Sequence, residues 1–172
     1  LQYTTDDFDF PHERWLRPDK GVAEATWISV GTMAGHLKAE RGRRQYYELP
    51  QAITARAVRV LIMNQDIRRL FVSSFTIIDE LEVFSDNRNV ALASNGGLPS
   101  STEAPFNSDA HKTEFINDGQ YGNDRSWSSW GVKTGWVQVD FPKPQTIDRG
   151  EWGRARPPDA QRDRVPTRYR VE

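Results

Sequence analysis

The feature that most limits the fold of this sequence is a set of short segments in which apolar and polar residues alternate. Side chains of a β-strand point to opposite faces in turn, so this alternation is typical of strands with one buried face. Turn-forming residues separate the segments, and amphipathic helix patterns are weak. The alternation predicts strands over residues 1–5, 44–49, 55–62, 77–84, 135–141 and 168–172.

Short strands with turns between them favour an all-β protein, an antiparallel β-sandwich. The strand at 135–141 is expected to end at Pro142, because proline lacks the N–H that a central strand donates. The apolar members of the strands and of the neighbouring segments form the predicted core. They are Val58, Val60, Ile62, Leu81, Val83, Val90, Leu92, Trp127, Val137, Val139, Phe141, Ile147, Trp152 and Tyr169.

Composition excludes several classes of protein. The 172 residues are enough for about one domain. Lys and Arg number 23 and Asp and Glu 24, giving a net charge of -1, so the chain lacks the basic excess of nucleic-acid binders. No apolar run approaches the ~20 residues that a membrane span needs. Because the chain starts at Leu1 and stops in a strand-like run, we expect a piece of a longer protein.

The sequence carries no recognisable catalytic motif. Cysteine is absent, which excludes thiol catalysis, cysteine-based zinc sites and disulfides. The nucleophile-elbow, zinc-protease and phosphate-loop motifs are missing as well. His12 and Glu13 have no second histidine at the spacing that binds zinc. We therefore expect that the chain is not an enzyme.

Several motifs of the sequence match one known family. Residues 135–141 alternate hydrophobic residues with Gln138 and Asp140 after Trp136. The others lie at 55–60, 78–84, 89–94, 115–119 with 126–129, and 147–149 with 152–154. Together they resemble the discoidin family, also called coagulation factor type C domains. Its galactose-binding-like fold, an antiparallel jelly-roll sandwich, is similar to that of carbohydrate-binding modules of family 32.

The order of these motifs differs from the order in the family. Residues 1–84 resemble the C-terminal half of such a domain, and residues 89–172 resemble the N-terminal half. This order predicts one circularly permuted domain covering 1–172, with the joint at residues 85–88. The alternative is that the chain takes half of each of two tandem domains, which meet at the same joint.

The resemblance implies a structural calcium ion, which takes six to eight oxygen ligands. Carboxylates of Glu80 and Asp118 would bind it. The remaining ligands would come from Phe115, Gln120, Asn123 and Ser126. The sequence departs from the family in having two extra residues between Asp118 and Trp127. The alternative is that residues 117–119 form only a tight turn and that Glu80 is a solvated strand residue.

The resemblance also implies a sugar-binding surface at the loop tips. In such sites an aromatic ring stacks on the apolar face of the sugar, and polar side chains bind its hydroxyls. The candidate residues are Asn64, Trp130, Arg154, Arg156, Arg162 and Arg164. Alternatively, the arginines pair with nearby acids and Trp130 belongs to the core.

The expected function is non-catalytic, lectin-like binding of carbohydrate, either galactose-type or another glycan. The chain would be an accessory module of a larger extracytoplasmic protein, which is periplasmic, on the cell surface or secreted. The alternative is a structural or protein–protein interaction module without a small-molecule ligand, contacting other domains of the parent protein. The segment 11–18, which contains Trp15 and exceeds what a sandwich needs, is the candidate for such contacts.

Overall fold

A computed structural model of the chain describes residues 1–5, 26–30, 45–63, 77–102, 109–122, 124–128, 134–153 and 169–170. These residues form ten strands and two short 3₁₀ helices. The strands are β1 (Gln2–Thr4), β2 (Ile28–Ser29), β3 (Gln45–Met63), β4 (Ile77–Ile78), β5 (Glu80–Ser85), β6 (Arg88–Asn89), β7 (Leu98–Ser101), β8 (Trp127–Ser128), β9 (Thr134–Gly153) and β10 (Tyr169–Arg170). The 3₁₀ helices are η1 (Ala93–Asn95) and η2 (Thr113–Asn117).

The strands form two sheets. The larger one follows the order β2-β1-β3-β9-β5-β6, with β10 added to β3 and β7 added to β9. The smaller one pairs β4 with β8. All of these pairings are antiparallel. The described residues therefore confirm the predicted all-β, antiparallel sandwich class.

The longest pairing in the fold joins the two halves of the sequence. β3 comes from the first half and β9 from the second, and they pair from Met63 opposite Thr134 to Gln45 opposite Trp152. The described parts of the two halves thus share one sheet. That this order is a circular permutation of a known family stays a prediction.

β9 continues through two prolines, so the prediction that this strand ends at Pro142 is wrong. The register shifts at this point: Asp140 lies opposite Ala57 and Gln145 opposite Ala55, which leaves residues 141–144 of β9 facing Arg56 alone. Pro142 and Pro144 lie in this bulge. A missing N–H is tolerated there because the ladder does not pair at these residues.

Most of the predicted core is buried. The residues at or below 9% exposure are Val58, Val60, Leu81, Val83, Val90, Trp127, Val137, Val139, Phe141, Ile147 and Trp152. Leu92 is only half-buried, because the chain leaves β6 and turns into η1. The side chains of Ile62 and Tyr169 lie outside the described residues. Ile78, Ala91 and Ile116 join the same core.

The predicted strand at 77–84 is split in two by Asp79. β4 pairs with β8 in the smaller sheet, whereas β5 pairs with β9 in the larger one. Between them the Asp79 N–H donates to the Gly153 carbonyl oxygen over 2.9 Å. The chain therefore changes sheets at Asp79, and Glu80 begins β5 opposite Gly153.

The predicted joint at 85–88 is a tight hairpin between β5 and β6. Ser85 lies opposite Arg88, and the two residues between them have positive φ, 46° at Asp86 and 66° at Asn87. Aspartate and asparagine tolerate this left-handed conformation, which is typical of the two-residue turns that suit the twist of a hairpin. The Asp86 N–H also donates to Asp148 Oδ2 over 2.9 Å.

Candidate functional site

Two carboxyl groups meet where β5 begins and η2 ends. Glu80 is the first residue of β5 and is only 1% exposed. Asp118 directly follows η2. The alternative that Glu80 is a solvated strand residue is therefore wrong. Because Glu80 directly follows Asp79, where the chain changes sheets, its side chain lies under the turn that begins at Asp118.

The main chain of this turn binds the Glu80 carboxyl. The N–H groups of Gly119 and Gln120 donate to Glu80 Oε1 over 2.7 and 3.0 Å. The Gln120 N–H also donates to Asp118 Oδ1 over 2.8 Å. Gly119 has φ +84°, a conformation that favours glycine. Two consecutive amides thus converge on one buried carboxyl oxygen.

A buried asparagine fixes the turn from the core side. Asn117 Nδ2 donates to the carbonyl oxygens of Ala91, over 2.7 Å, and Gly97, over 3.1 Å. Gly97 is packed so closely that an added Cβ would lie 2.0 Å from the Ala91 oxygen. The turn is therefore anchored to the segment around η1, and a side chain at residue 97 would separate the two.

The Glu80 carboxyl is strongly perturbed. Burial, and then a side-chain hydrogen bond with Asp118, raise the pKa of Glu80 from 4.5 to about 9, against the lowering effect of the two N–H groups. Its Oε2 is buried and meets no donor among the described residues. Two adjacent carboxyl groups of this kind hold either one proton or one cation between them.

Arg125 completes the charge balance of the cluster. Its Nε and Nη2 donate to Asp118 Oδ2 over 2.8 and 2.5 Å. Its guanidinium also lies 4.3 Å from the centre of the Phe115 ring. The sequence analysis missed Arg125, because a pair between two loop residues follows no period. The extra length between Asp118 and Trp127 was the one signal that pointed to this loop.

Two further contacts bind the same loop to the strand region. The Tyr121 hydroxyl donates to Glu82 Oε2 over 2.6 Å. The Gly122 N–H donates to Asp79 Oδ2 over 3.2 Å. Together with Glu80, three acidic side chains at the start of β5 accept hydrogen bonds from residues 119–122. The loop is therefore attached to this strand through acceptors rather than through apolar packing.

The structure brings together part of the predicted calcium set. Glu80, Asp118 and Gln120 lie in one cluster. The Ser126 hydroxyl instead hydrogen-bonds His111 Nδ1 at 2.8 Å. Phe115 is buried, with Arg125 over its ring. Asn123 lies outside the described residues.

The donor chemistry of this cluster suits a hard cation. The part of the chain that the structure describes holds no group of three or more His, Cys, Asp and Glu residues arranged for a metal. Calcium accepts main-chain and water oxygens beside a few carboxylates. The buried Oε2 of Glu80, which meets no donor among the described residues, and the adjacent Asp118 carboxylate are oxygens of the kind that calcium binds.

All six predicted sugar-binding residues, Asn64, Trp130, Arg154, Arg156, Arg162 and Arg164, lie outside the described residues. The strand ends that flank them are described. Met63 pairs with Thr134, and Tyr169 pairs with the adjacent Ile62. The segments 64–76, 129–133 and 154–168 therefore all have one boundary at this end of the β3–β9 ladder.

Comparisons of this chain with models of protein families, with curated proteins and with solved structures find no match. Within the described ranges, no helix has the length and apolar character that would let it cross a membrane.

Proposed function

We propose that this chain is a non-catalytic, lectin-like carbohydrate-binding module of a larger extracytoplasmic protein. The observation that carries the proposal is the common strand end formed by Met63, Thr134 and Tyr169. Asn64 follows the first of these residues, Trp130 precedes the second by four residues, and Arg164 precedes the third by five. An indole, an amide and a guanidinium thus belong to residues that are one to five positions in sequence from this strand end.

These three side chains have the chemistry that a neutral sugar requires. An indole ring covers the apolar face of a pyranose, and the amide and guanidinium groups donate hydrogen bonds to its hydroxyls. Arg162 belongs to the same segment as Arg164. Arg154 and Arg156 follow Gly153, at the opposite end of the ladder, and are the weaker candidates.

We further propose that the cluster of Glu80 and Asp118 binds a structural Ca²⁺. Main-chain oxygens of Phe115 and Gln120 would join its shell, and Asn123 or Ser126 would complete it. Ser126 is the weakest of the proposed ligands, because its hydroxyl bonds His111. The ion would neutralise the two carboxylates and hold the 118–122 loop on β5. It would not take part in a reaction.

A glycan array followed by calorimetric titration tests the sugar proposal. We expect saturable binding of a glycan, weakened at least tenfold in Trp130→Ala, Asn64→Ala and Arg164→Ala. Arg88→Ala is the control, because Arg88 is an exposed arginine of β6 outside the candidate set. Loss of affinity in the control equal to that in Arg164→Ala would contradict the proposed position. Absence of any bound glycan would contradict the function.

A protein-interaction module is the second candidate, and one observation favours it. Ile28 is 43% exposed on β2, which is the terminal strand of the larger sheet among the described residues. An edge strand with an exposed apolar side chain suits pairing with another polypeptide. If glycans do not bind, titration with the neighbouring domains of the parent protein should show binding that Ile28→Lys weakens.

A further inference from the structure

The ion pair of Asp118 occupies the carboxylate that the proposed calcium ion needs. Arg125 places two N–H groups on Asp118 Oδ2, and Gln120 places one on Oδ1. Both oxygens of Asp118 are therefore engaged. Glu80 Oε2, by contrast, is buried and meets no donor among the described residues. A cation in the cluster meets no donor among the described residues at Glu80 Oε2, but it must share or replace the partners of Asp118.

The position of Arg125 allows such an exchange. Its side chain is 37% exposed, compared with 14% for that of Asp118, so the guanidinium lies on the solvent side of the carboxylate. It also rests against the ring of Phe115, 4.3 Å from the ring centre. An aromatic face attracts a cation independently of any carboxylate. Arg125 can therefore release Asp118 and keep this second contact.

The charges of the cluster show whether Arg125 strengthens or weakens the binding of calcium. When calcium replaces the proton that Glu80 otherwise holds, Glu80 and Asp118 carry two negative charges, and Arg125 offsets one of them. A fixed positive charge a few ångströms from a divalent ion weakens its binding through Coulomb repulsion and through competition for the same oxygen. Calcium affinity depends strongly on the number of uncompensated ligand charges.

We propose that Arg125 is a resident cation of the Glu80–Asp118 site. Its guanidinium competes with Ca²⁺ for Asp118 and thereby makes the calcium affinity of the site weak. This inference rests on the proposed calcium site. When calcium is scarce, Arg125 holds the carboxylate and keeps the 118–125 loop attached. When calcium is abundant, the metal takes over the same task. The site would therefore respond to calcium at the high concentrations typical of extracellular modules rather than at trace levels.

Calorimetric titration of the intact chain with CaCl₂ tests the competition. Arg125→Gln removes the charge and keeps a polar side chain. We expect it to bind Ca²⁺ roughly 10–100-fold more tightly than the wild type. Its melting temperature without calcium should fall below that of the wild type, and saturating calcium should restore it.

Arg149→Gln is the matched control. Arg149 also combines a carboxylate partner, Glu151 at 2.8 Å, with an aromatic ring, that of Phe84 at 4.2 Å from the ring centre. It takes no part in the Glu80–Asp118 cluster. Its removal should leave the calcium affinity unchanged. An equal gain of affinity in Arg149→Gln would overturn the inference, because it would show a general effect of net charge.

The outcomes separate this inference from the calcium proposal. Binding by the wild type with equal or weaker binding by Arg125→Gln would overturn the role of Arg125 and leave the calcium site standing. Failure of both proteins to bind would overturn both proposals. Binding by Arg125→Gln alone would support the inference, because the resident cation would then exclude the metal completely.

A measurement on the wild type is independent of how well the variant folds. The Nε–H of Arg125 should be protected from solvent exchange in the calcium-free protein, because it donates to Asp118. Nuclear magnetic resonance at low temperature should show this signal losing protection as calcium is added. A signal that is unprotected without calcium, or unchanged at saturation, would overturn the inference.

Discussion

Two of the buried carboxyl groups, those of Asp140 and Glu80, accept hydrogen bonds from different sources, and the difference distinguishes a residue of the scaffold from a residue of the candidate site. Asp140 is fully buried in β9 and accepts a hydrogen bond of 2.7 Å from Gln138, two residues away on the same strand. Glu80 instead accepts main-chain N–H groups from Gly119 and Gln120, which are 39 and 40 residues away in sequence. The hydrogen bond from Gln138 to Asp140 is thus local to one strand. Glu80 connects two distant segments.

The largest expected effect is a dependence of stability on pH that originates at Glu80. Its pKa is raised from 4.5 to about 9 in the folded protein, so the folded state keeps a proton that the unfolded chain loses. The contribution is complete below about pH 4.5 and is lost as the pH rises towards 9. The free energy of unfolding should fall by up to about 1.4 kcal/mol per pH unit in that window. Urea unfolding without calcium measures it.

Glu80→Gln should remove this dependence, because an amide cannot ionise. Glu82→Gln is the control, since Glu82 lies two residues further along the same strand and face. We expect the control to keep the slope of the wild type. Calcium should also reduce the slope in the wild type, because the ion stabilises the ionised carboxylates. A slope that persists unchanged in Glu80→Gln would place its origin elsewhere.

A smaller effect is expected on the scaffold side of the comparison. Gln138→Leu removes the N–H that Asp140 accepts and should lower the free energy of unfolding by about 2 kcal/mol. Calcium affinity should not change, because this pair is local to β9. Gln145→Leu is the control on the same strand, because the Gln145 side chain makes a long contact of 3.5 Å with the Lys143 carbonyl oxygen. A change in calcium affinity in Gln138→Leu would remove the distinction between scaffold and site.

The smallest effect concerns the contact between Tyr121 and Glu82, which lies beside the cluster. Tyr121→Phe removes a hydrogen bond of 2.6 Å and should destabilise the fold by about 1 kcal/mol. A double-mutant cycle with Glu82→Gln should give a coupling energy of similar size. Additive losses would show that the bond contributes nothing, and the attachment of the loop would then depend on the contacts of Glu80 and Asp79.

Periodicity predicted the parts of the fold in which neighbours along the strand decide burial. Val58, Val60, Val137 and Val139 are buried as the alternation requires. The pattern fails where strands change partner, because a period carries no information about a second sheet. The split at Asp79 is one such case.

The bulge that accommodates Pro142 and Pro144 is another. It depends on a register between β3 and β9 that appears in neither segment alone. The sequence of this strand alone therefore predicts that β9 ends at the first proline, whereas the paired strand continues beyond both prolines.

The candidate site was predictable only in part. Glu80 and Asp118 followed from the resemblance to a family, and the structure brings them together. The roles of Arg125 and Tyr121 could not be predicted. Each depends on a contact between side chains whose separation follows neither the helical period nor a turn rule.

The pairing of β3 with β9 determines when the nascent chain can fold during its synthesis. β3 ends at Met63, and its partner is complete only at Gly153. At about 5–20 residues per second, a ribosome adds the intervening ~90 residues in roughly 5–20 s. For that interval β3 lacks the neighbour that covers its longest edge, and unpaired edges invite aggregation. Nascent chains should therefore acquire resistance to proteolysis in one late step, when β9 leaves the exit tunnel, rather than in stages.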